Sequence, residues 1–343
     1  KYYTFAKMSI LRKFLFPFSL LYGGIMHIRN FLYDTQILNS ESFDLPIICV
    51  GNLSVGGTGK SPMIEYLLKL LIPEYSVATL SRGYGRSTKG FKMVDISEKA
   101  SDVGDEPLQF KNKFPHAFVA VDEVRSRGIK NLLANSSPEI ILLDDAFQHR
   151  KVTAGLNIVL TRYKDLYQDD LMLPAGNLRE PSSGAGRAQI IIVTKCPQNL
   201  ALSDRQKIQK KLKLNGQQQL FFSYIGYDDY VLNSSEKLEI TELQNRNVTL
   251  VTGIANPSQL CAHLDALNIS YKHLNFPDHH NFTVREITEI SKSSTVLTTE
   301  KDFMRLKGKI SEEKLFYLPI EMKFFEDPKI FNNGIFNYVI KEK

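Results

Sequence analysis

The residues best suited to chemistry follow one another in a glycine-rich stretch, Gly56-Gly57-Thr58-Gly59-Lys60-Ser61. Glycines let consecutive backbone N–H groups face one anion, so this stretch predicts a phosphate-binding loop. In such a loop Lys60 bridges the outer phosphates of a nucleotide, and the Ser61 hydroxyl binds the Mg²⁺ ion of that nucleotide. Ser54 replaces the first glycine of the G-x-x-x-x-G-K-[ST] pattern. A dinucleotide-binding pattern, G-x-G-x-x-G, fits these glycines less well.

Acidic residues elsewhere in the chain supply the other groups that phosphoryl transfer needs. Asp144 and Asp145 end an apolar run, as in a Walker B segment, and either of them can bind Mg²⁺ directly or through water. Asp105 comes directly before a predicted helix. It could cap that helix, or it could act as the base that accepts the proton of a hydroxyl acceptor. The local sequence favours neither role over the other.

Other polar side chains lie in loops after predicted strands, which is where ligands bind in open α/β sheets. Arg82 lies in one such loop and could hold phosphate, with a solvated turn as the alternative. Gln148 and His149 follow the paired acids and offer polar groups beside the predicted metal site. Arg179 and Glu180 lie in a loop rich in proline and glycine, where a polar substrate could bind.

Two further motifs are weaker indications of a ligand. Thr194-Lys195 resembles the base-reading segment of GTPases, but Pro197 occupies the position of the guanine-binding aspartate. Guanine selectivity is therefore disfavoured. Two adjacent histidines, His279 and His280, follow an aspartate and could suggest a metal site. Adjacent side chains seldom face one ion together, so a structural loop is the simpler interpretation.

A parallel sheet would bring these loops together at one edge. Apolar runs predict buried strands at 47–50, 75–80, 118–121, 140–145, 156–161 and 190–194. Helical spacing at 63–71 follows the glycine-rich loop. Strands and helices in alternation predict the α/β class, with a P-loop NTPase-like α/β/α sandwich over residues 36–220.

The rest of the chain predicts a second unit. An alternating aromatic segment predicts a β linker over residues 221–245. New strand–helix units after it predict a smaller α/β lobe over residues 246–343, whose last helix could return to the first lobe. A length of 343 residues agrees with two separate cores.

The N-terminal region, residues 8–35, mixes apolar and basic residues. Only thirteen uncharged residues separate Lys13 from His27, whereas a membrane-spanning helix needs about 20 apolar residues. A signal peptide is disfavoured because no small-x-small cleavage site follows. An amphipathic helix in the membrane interface fits better, with a plain core helix as the alternative. Residues 1–7 are interpreted as left over from cloning, with the natural start at Met8.

The composition limits the kinds of molecule that this protein is expected to bind. A formal charge of +6 and a pI near 9 favour acidic partners such as a nucleotide, a nucleic acid or an anionic membrane. The basic residues are dispersed and form no aromatic nucleic-acid platform, which argues against RNA or DNA. Three cysteines lie far apart, so neither a disulfide framework nor a zinc site is predicted. A reducing, cytosolic compartment is the simplest expectation.

Taken together, the motifs of this chain resemble those of the tetraacyldisaccharide 4'-kinase family, the lipid A 4'-kinases of Gram-negative bacteria. The resemblance covers residues 17–320 approximately. It is carried by Gly51-Asn52, the glycine-rich loop with Pro62, Arg82-Gly83-Tyr84-Gly85-Arg86, Gly104-Asp105-Glu106-Pro107, Asp144-Asp145, Gln148-His149, Pro174-Ala175-Gly176, Leu178-Arg179-Glu180, Val193-Thr194-Lys195-Cys196-Pro197 and Phe276-Pro277-Asp278-His279.

The resemblance implies a peripheral enzyme at the cytoplasmic face of the bacterial inner membrane. Such an enzyme uses ATP and Mg²⁺ to phosphorylate the 4'-hydroxyl of a tetraacylated disaccharide 1-phosphate lipid. By resemblance, Asp105 is the base, assisted by His279 from the second lobe, and Asp145 belongs to the metal site. The implied contacts for phosphate or sugar are Arg82, Tyr84, Arg125, Gln148, His149, Arg179 and Glu180.

Two departures from the family pattern and two other functions stay open. Ser61 replaces a more usual threonine, which keeps the hydroxyl, and Ala146 stands where glycine is common.

One alternative function is a P-loop kinase or ATPase that acts on a soluble metabolite. The other is a nucleotide-gated binding module of the membrane surface that catalyses nothing. A monomer is the favoured state.

Overall fold

The chain begins with a lobe in which strands and helices alternate. A computed structural model describes residues 12, 14–278 and 280–342. The helices of the first lobe are α1 (Phe16–Asp34), α2 (Lys60–Leu71), α3 (Ala100–Val103), α4 (Asp105–Lys113), α5 (Arg125–Asn135) and α6 (Leu202–Leu212). The strands are β1 (Ile47–Asn52), β2 (Val77–Ser81), β3 (Lys92–Met93), β4 (Phe118–Val121), β5 (Ile140–Asp144), β6 (Leu156–Arg162), β7 (Ile190–Thr194) and β8 (Gln219–Tyr227). Short 3₁₀ helices occupy Tyr167–Asp169 and Ser182–Arg187.

A second, smaller lobe follows, and the chain then returns to the first. The second lobe contains β9 (Tyr230–Leu232), β10 (Lys237–Glu239), a 3₁₀ helix (Ile240–Asn245), β11 (Val248–Thr252), α7 (Ser258–Ala266), β12 (Tyr271–Asn275), α8 (Val284–Ser291), β13 (Thr295–Thr299), α9 (Glu300–Leu306) and β14 (Leu315–Leu318). The returning segment consists of β15 (Ile320–Phe324) and α10 (Pro328–Glu342).

The large sheet has nine strands in the order β15-β8-β7-β6-β1-β5-β2-β4-β3. The seven strands from β8 to β4 are parallel, and the antiparallel strands β15 and β3 close the two edges. Strands β1, β2, β5 and β7 are buried along their whole length. This burial explains their continuous apolar runs, because both faces of a parallel sheet are covered by helices.

Two hydrophobic cores lie on opposite faces of the large sheet. On one face, Leu67 of α2 and Phe110 of α4 pack together with Ile335 of α10. On the other face, Ile129 of α5 and Ile208 of α6 pack against the strands. Helices on both faces make the first lobe an α/β/α sandwich, which confirms the predicted fold class.

The second sheet has six strands in the order β10-β9-β14-β13-β11-β12. Strands β14, β13, β11 and β12 are parallel, and the hairpin β9–β10 adds two antiparallel strands. Leu250 and Leu264 belong to the core on one face, and Ile290 and Phe303 belong to the core on the other. The smaller lobe thus repeats the layered α/β arrangement.

The connection between the lobes differs from the predicted linker over residues 221–245. Residues 219–227 form β8, which pairs with β7 on one side and with β15 on the other. Phe221 and Phe222 face opposite cores of the large sheet, so the aromatic run is part of the first lobe. The last helix returns to the first lobe, where Phe331 and Val339 are fully buried.

Candidate active site

The glycine-rich loop connects β1 to α2 at the middle of the large sheet. Gly56 and Gly59 adopt φ angles of 102° and 93°, a region that favours glycine, and Gly59 is the N-cap of α2. The Asn52 side chain donates a hydrogen bond of 2.8 Å to Oγ1 of Thr58. The Thr194 hydroxyl at the end of β7 donates one of 2.6 Å to the Thr58 carbonyl. These bonds hold the loop in place before any ligand arrives.

Two lysines flank this loop. Nζ of Lys60 lies 3.8 Å from Oδ2 of Asp145. Nζ of Lys195 lies 3.7 Å from the position that a Cβ atom would occupy on Gly57. Burial, followed by the charge of Arg162, lowers the pKa of Lys195. The loop therefore combines backbone donors at a helix N-terminus with two ammonium groups, a setting that favours an anion.

The paired acids at the end of β5 have different surroundings. Asp144 is 4% exposed and accepts a hydrogen bond of 3.2 Å from Oγ of Ser81. Burial, followed by the charge of Glu106, raises the pKa of Asp144 to about 7. Asp145 has a φ angle of 49° and forms a two-point contact with Arg179, at 2.7 and 3.1 Å. Burial opposes ionisation of Asp145, but the charges of Lys60 and Arg179 outweigh it and lower the pKa.

The donor set suits a magnesium ion that a nucleotide helps to hold. Among the described residues, none donates a hydrogen bond to the buried Oδ1 of Asp144. The Ser61 hydroxyl lies at the start of α2 and donates to Glu106 at 2.5 Å. No group of three or more His, Cys, Asp or Glu side chains in the described part of the chain could hold a metal ion by itself. Mg²⁺ commonly takes one or two carboxylates and completes its shell with phosphates and water.

Helix α4 brings a second pair of acids to the same place. The N-cap of α4 is Gly104, with a φ angle of 98°, so Asp105 is the first helical residue and not the cap. The Asp105 carboxylate pairs with Arg305, and Glu106 accepts a hydrogen bond of 2.9 Å from Nζ of Lys301. Both partners belong to α9 of the second lobe. Asp105 and Glu106 therefore lie where the two lobes meet.

His279, the predicted assistant of Asp105, lies outside the described residues. Its neighbour Asp278 is exposed and belongs to the loop after β12. The charge of Asp278 acts on Lys195 and on Lys301. The Asp278 segment of the second lobe therefore approaches the lysines around the glycine-rich loop.

The predicted substrate contacts Arg82, Tyr84, Arg125 and His149 lie in different environments. Arg82 and Tyr84 are exposed in the loop after β2, and Tyr84 is 86% exposed. Arg125 is buried and donates to the carbonyls of Asp122 and Asp144, at 2.6 and 3.1 Å. In this arrangement Arg125 holds the backbone at the end of β5, where Asp144 lies. Burial, followed by the charges of Arg125 and Arg82, lowers the pKa of His149 to about 4, so its ring is neutral near pH 7.

Glu180 is 1% exposed, although the sequence suggested a substrate contact. Its carboxylate accepts hydrogen bonds of 2.7 Å from Arg187 and Gln148, and one of 3.2 Å from Asn30. Gln148 also donates to the Asn52 carbonyl at the end of β1, at 2.9 Å. In this arrangement Glu180 and Gln148 therefore stabilise the end of β1, where the glycine-rich loop starts. Arg179 contacts Asp145 beside them.

Helix α1 packs one face against these loops. The Tyr22 hydroxyl donates to the Arg179 carbonyl, and Arg29 donates to the Gln148 carbonyl, both at 2.8 Å. The opposite side is apolar and more than half exposed at Phe18, Leu20, Leu21, Ile25, Ile28 and Phe31. Within the described residues, no helix is both long and apolar enough to span a membrane. The amphipathic helix thus lies directly beside the candidate site.

Sequence reasoning missed Lys195, Lys301 and Arg305 as site residues. In the sequence, Lys195 belongs to a segment that resembles a base-reading motif and to one of the motifs of the family resemblance. The polar run after β13 was the available signal for α9. Its contact with Asp105 and Glu106 depends on how the two lobes pack, which local sequence does not reveal.

A parallel sheet with a glycine-rich loop after β1, a lysine at the start of α2 and acids at the end of β5 defines a P-loop nucleotide-binding fold of the kinase type. A sequence model described as tetraacyldisaccharide-1-P 4'-kinase, LpxK, matches residues 11–339. The chain belongs to this family, as its motifs predicted.

Curated relatives agree with the family model. A tetraacyldisaccharide 4'-kinase of Flavobacterium johnsoniae is 50% identical over 336 residues, covering 97% of this chain and 98% of the relative. One of Bacteroides thetaiotaomicron is 43% identical and covers 96% of this chain and 93% of the relative. The crystal structure of LpxK from Aquifex aeolicus in complex with ATP matches with a TM-score of 0.81 and 33% identity, covering 96% of this chain and all of that chain.

Proposed function

We propose that this chain transfers the γ-phosphate of ATP to the 4'-hydroxyl of a tetraacyldisaccharide 1-phosphate lipid. The observation that carries the proposal is the convergence of three groups in a chain of this family. Lys60 and Ser61 begin α2, Asp144 ends β5 with Asp145 directly after it, and Asp105 begins α4. A phosphate cradle, a metal carboxylate and a candidate base are the parts that phosphoryl transfer to an alcohol needs.

The glycine-rich loop, residues 56–61, would bind the phosphates of ATP. Backbone N–H groups of the loop face the anion, while Lys60 and Lys195 neutralise its charge. Ser61 and Asp144, with Asp145 near them, would hold Mg²⁺, which when bound offsets negative charge on the phosphates. The relative from Aquifex aeolicus was crystallised in complex with ATP, which supports ATP as the nucleotide here.

Asp105 would be the general base, assisted by His279. As the acceptor oxygen forms its bond to phosphorus, its O–H bond breaks and the proton moves to a carboxylate oxygen of Asp105. The bond between the γ-phosphorus and the bridging oxygen breaks, and ADP leaves with those electrons. Arg305 pairs with the same carboxylate, so the base is held at the boundary of the two lobes.

The lipid would approach from the side of α1. The exposed apolar face of this helix suits acyl chains or the membrane interface, and Arg29 lies on the same helix. Arg82, Tyr84 and neutral His149 would contact the phosphate or the sugar. We infer a peripheral enzyme that works on an anionic surface, the cytoplasmic face of the inner membrane.

The test is incubation of the purified chain with γ-labelled ATP, Mg²⁺ and tetraacyldisaccharide 1-phosphate in detergent. The expected result is label in a bisphosphorylated lipid. A matched reaction contains the deacylated, soluble disaccharide 1-phosphate. Equal labelling of both acceptors would favour a kinase of soluble sugars, and label found solely in inorganic phosphate would contradict the proposal.

A further inference from the structure

Helix α9 of the second lobe begins at a well-defined turn. The Thr299 side chain accepts a hydrogen bond of 3.2 Å from the Asp302 backbone N–H and caps the helix directly after β13. Lys301 and Arg305 are four residues apart, so they project from the same face of α9. That face meets the first turn of α4, where Asp105 and Glu106 lie.

Arg305 links Asp105 to the core of the second lobe. Its guanidinium contacts the Asp105 carboxylate with one nitrogen and Oδ1 of Asp302 with another, the latter at 3.2 Å. Asp302 is fully buried and also accepts hydrogen bonds from the Gly253 N–H at 2.8 Å and from the Thr299 hydroxyl at 2.7 Å. The arginine is therefore fixed by a rigid partner, and it fixes Asp105 in turn.

Lys301 acts on the neighbouring carboxylate. Its Nζ donates to Oε1 of Glu106 at 2.9 Å, and the same Oε1 accepts the hydrogen bond of the Ser61 hydroxyl. A serine hydroxyl that donates its hydrogen to a carboxylate keeps its lone pairs available for a cation. Lys301 thus helps to set the orientation of Ser61 from across the lobe boundary.

We propose that Lys301 and Arg305 are positioning residues of the kinase reaction, with Arg305 orienting the base Asp105 and Lys301 orienting Glu106 and, through it, Ser61. The inference rests on the proposed function, because Asp105 is the base of that reaction. The active site is then complete when α9 packs against α4, and nucleotide binding in the first lobe does not by itself assemble the base.

The test compares Arg305→Leu, Arg305→Lys and Lys301→Met with the wild type. A small misplacement of a reacting group is costly, so Arg305→Leu should lower kcat about 10²-fold while KM for ATP stays within about twofold. Arg305→Lys should recover part of the loss, because an ammonium group keeps the charge without the two-point geometry. Lys301→Met should lower kcat and raise the Mg²⁺ concentration at which the rate is half-maximal.

Glu300→Gln is the matched control on the same helix. Glu300 forms another contact across the lobe boundary, to Lys113 at 3.1 Å, at the opposite end of α4 from Asp105 and Glu106. The proposal expects near wild-type kcat for Glu300→Gln. An equal loss in Glu300→Gln, or a loss of ATP binding and of thermal stability together with kcat in Arg305→Leu, would overturn the proposal in favour of general lobe packing.

Hydrogen exchange supplies a readout that does not need the lipid. Arg305→Leu should increase exchange of the backbone amides of Asp105, Glu106 and Leu108, and Glu300→Gln should not. If the wild type fails to phosphorylate the lipid, the proposed function is wrong, and this exchange pattern still decides whether Arg305 positions α4.

A folded Arg305→Leu variant with wild-type kcat overturns the positioning role. If that variant does not fold, Arg305→Lys decides by the same criterion, with wild-type kcat as the contradicting result.

Discussion

The glycine-rich loop and the lobe boundary contribute to one site in different ways. The loop is built by consecutive elements, β1 and α2, and the two carboxylates proposed to bind the metal lie at the end of β5, the neighbouring strand of the same sheet, and directly after it. The lobe boundary joins Asp105 to Arg305, which are 200 residues apart in the chain. In the proposed mechanism, nucleotide binding therefore belongs to one lobe, whereas proton transfer requires both.

This difference separates two kinds of defect. A change in the loop should affect ATP binding and turnover together. A change at the lobe boundary should lower turnover and leave ATP binding almost intact. Variants in the glycine-rich loop and at the lobe boundary therefore test whether ATP binding and phosphoryl transfer can be changed separately.

Asp105→Asn should have the largest effect. Loss of a general base typically costs about 10² to 10⁴ in rate, so kcat should fall by that factor while the Kd for ATP hardly changes. Single-turnover kinetics and calorimetry measure the two quantities. Asp102→Asn, on the adjacent helix α3, is the control and should behave as wild type. Wild-type turnover in Asp105→Asn would remove the base from the mechanism.

Lys60→Met should have the next largest effect and, unlike Asp105→Asn, should change ATP binding as well as turnover. The ammonium group lies beside Asp145 in the phosphate loop, so its loss should lower kcat about 10²- to 10³-fold and also weaken ATP binding. Lys69→Met changes an exposed lysine on the same helix and serves as control. Unchanged ATP affinity in Lys60→Met would contradict the division between the loop and the lobe boundary.

Glu180→Ala should lower the stability of the protein, because Glu180 lies buried behind the glycine-rich loop. Removing one partner of a buried ion pair leaves Arg187 uncompensated, so the free energy of unfolding should fall by about 3 kcal/mol. Urea denaturation measures this loss. Glu289→Ala removes an exposed carboxylate that pairs with the likewise exposed Lys292 and should cost only a small fraction of that loss. Equal losses would mean that burial of Glu180 contributes nothing.

Sequence predicted the loop region far better than the lobe boundary. The strand, the glycines, Lys60 and Ser61 follow one another, so their proximity is fixed by local chain geometry. Asp144 could be placed beside them because parallel strands end at the same edge of a sheet. Arg305 could not be placed, because its partner depends on the packing of a second lobe.

Burial was the other quantity that the sequence did not provide. Glu180 and Arg125 have residue types typical of substrate contacts, but the folded chain surrounds both of them with hydrogen-bond partners. Phe221 and Phe222 belong to the segment predicted as a linker, yet β15 pairs with β8 in the large sheet, and the two rings lie in cores on its opposite faces. Each difference arises from a segment distant in sequence.

Glu300→Gln should reveal a smaller, pH-dependent effect at the lobe boundary. Burial, and then the charge of Glu65, raise the pKa of Glu300 to about 7, since Lys113 does not fully offset them. An acid with a raised pKa stabilises the fold while protonated, and this contribution is lost as pH rises through about 7. Relative to wild type, Glu300→Gln should gain about 1 kcal/mol of stability from about pH 6 to about pH 8. A difference that does not vary with pH would contradict this assignment.

Leu21→Ser should have the smallest effect, on membrane binding beside the loop region. Leu21 is exposed on the apolar face of α1. Loss of one partly buried apolar side chain should weaken binding to anionic vesicles about threefold, as sedimentation would measure. Val284→Ser removes an exposed apolar residue of the second lobe and should leave vesicle binding unchanged. Equal weakening by both variants would argue against α1 as the membrane-facing element.

The position of the transferred phosphate tests the central claim most directly. The lipid product of a reaction with ATP and Mg²⁺ can be isolated and analysed by ³¹P NMR with proton correlation. The proposed mechanism predicts a new phosphate monoester on the 4'-oxygen, together with the original 1-phosphate, and its loss in Asp105→Asn. Recovery of unchanged lipid with inorganic phosphate, or a phosphate on another oxygen, would contradict it.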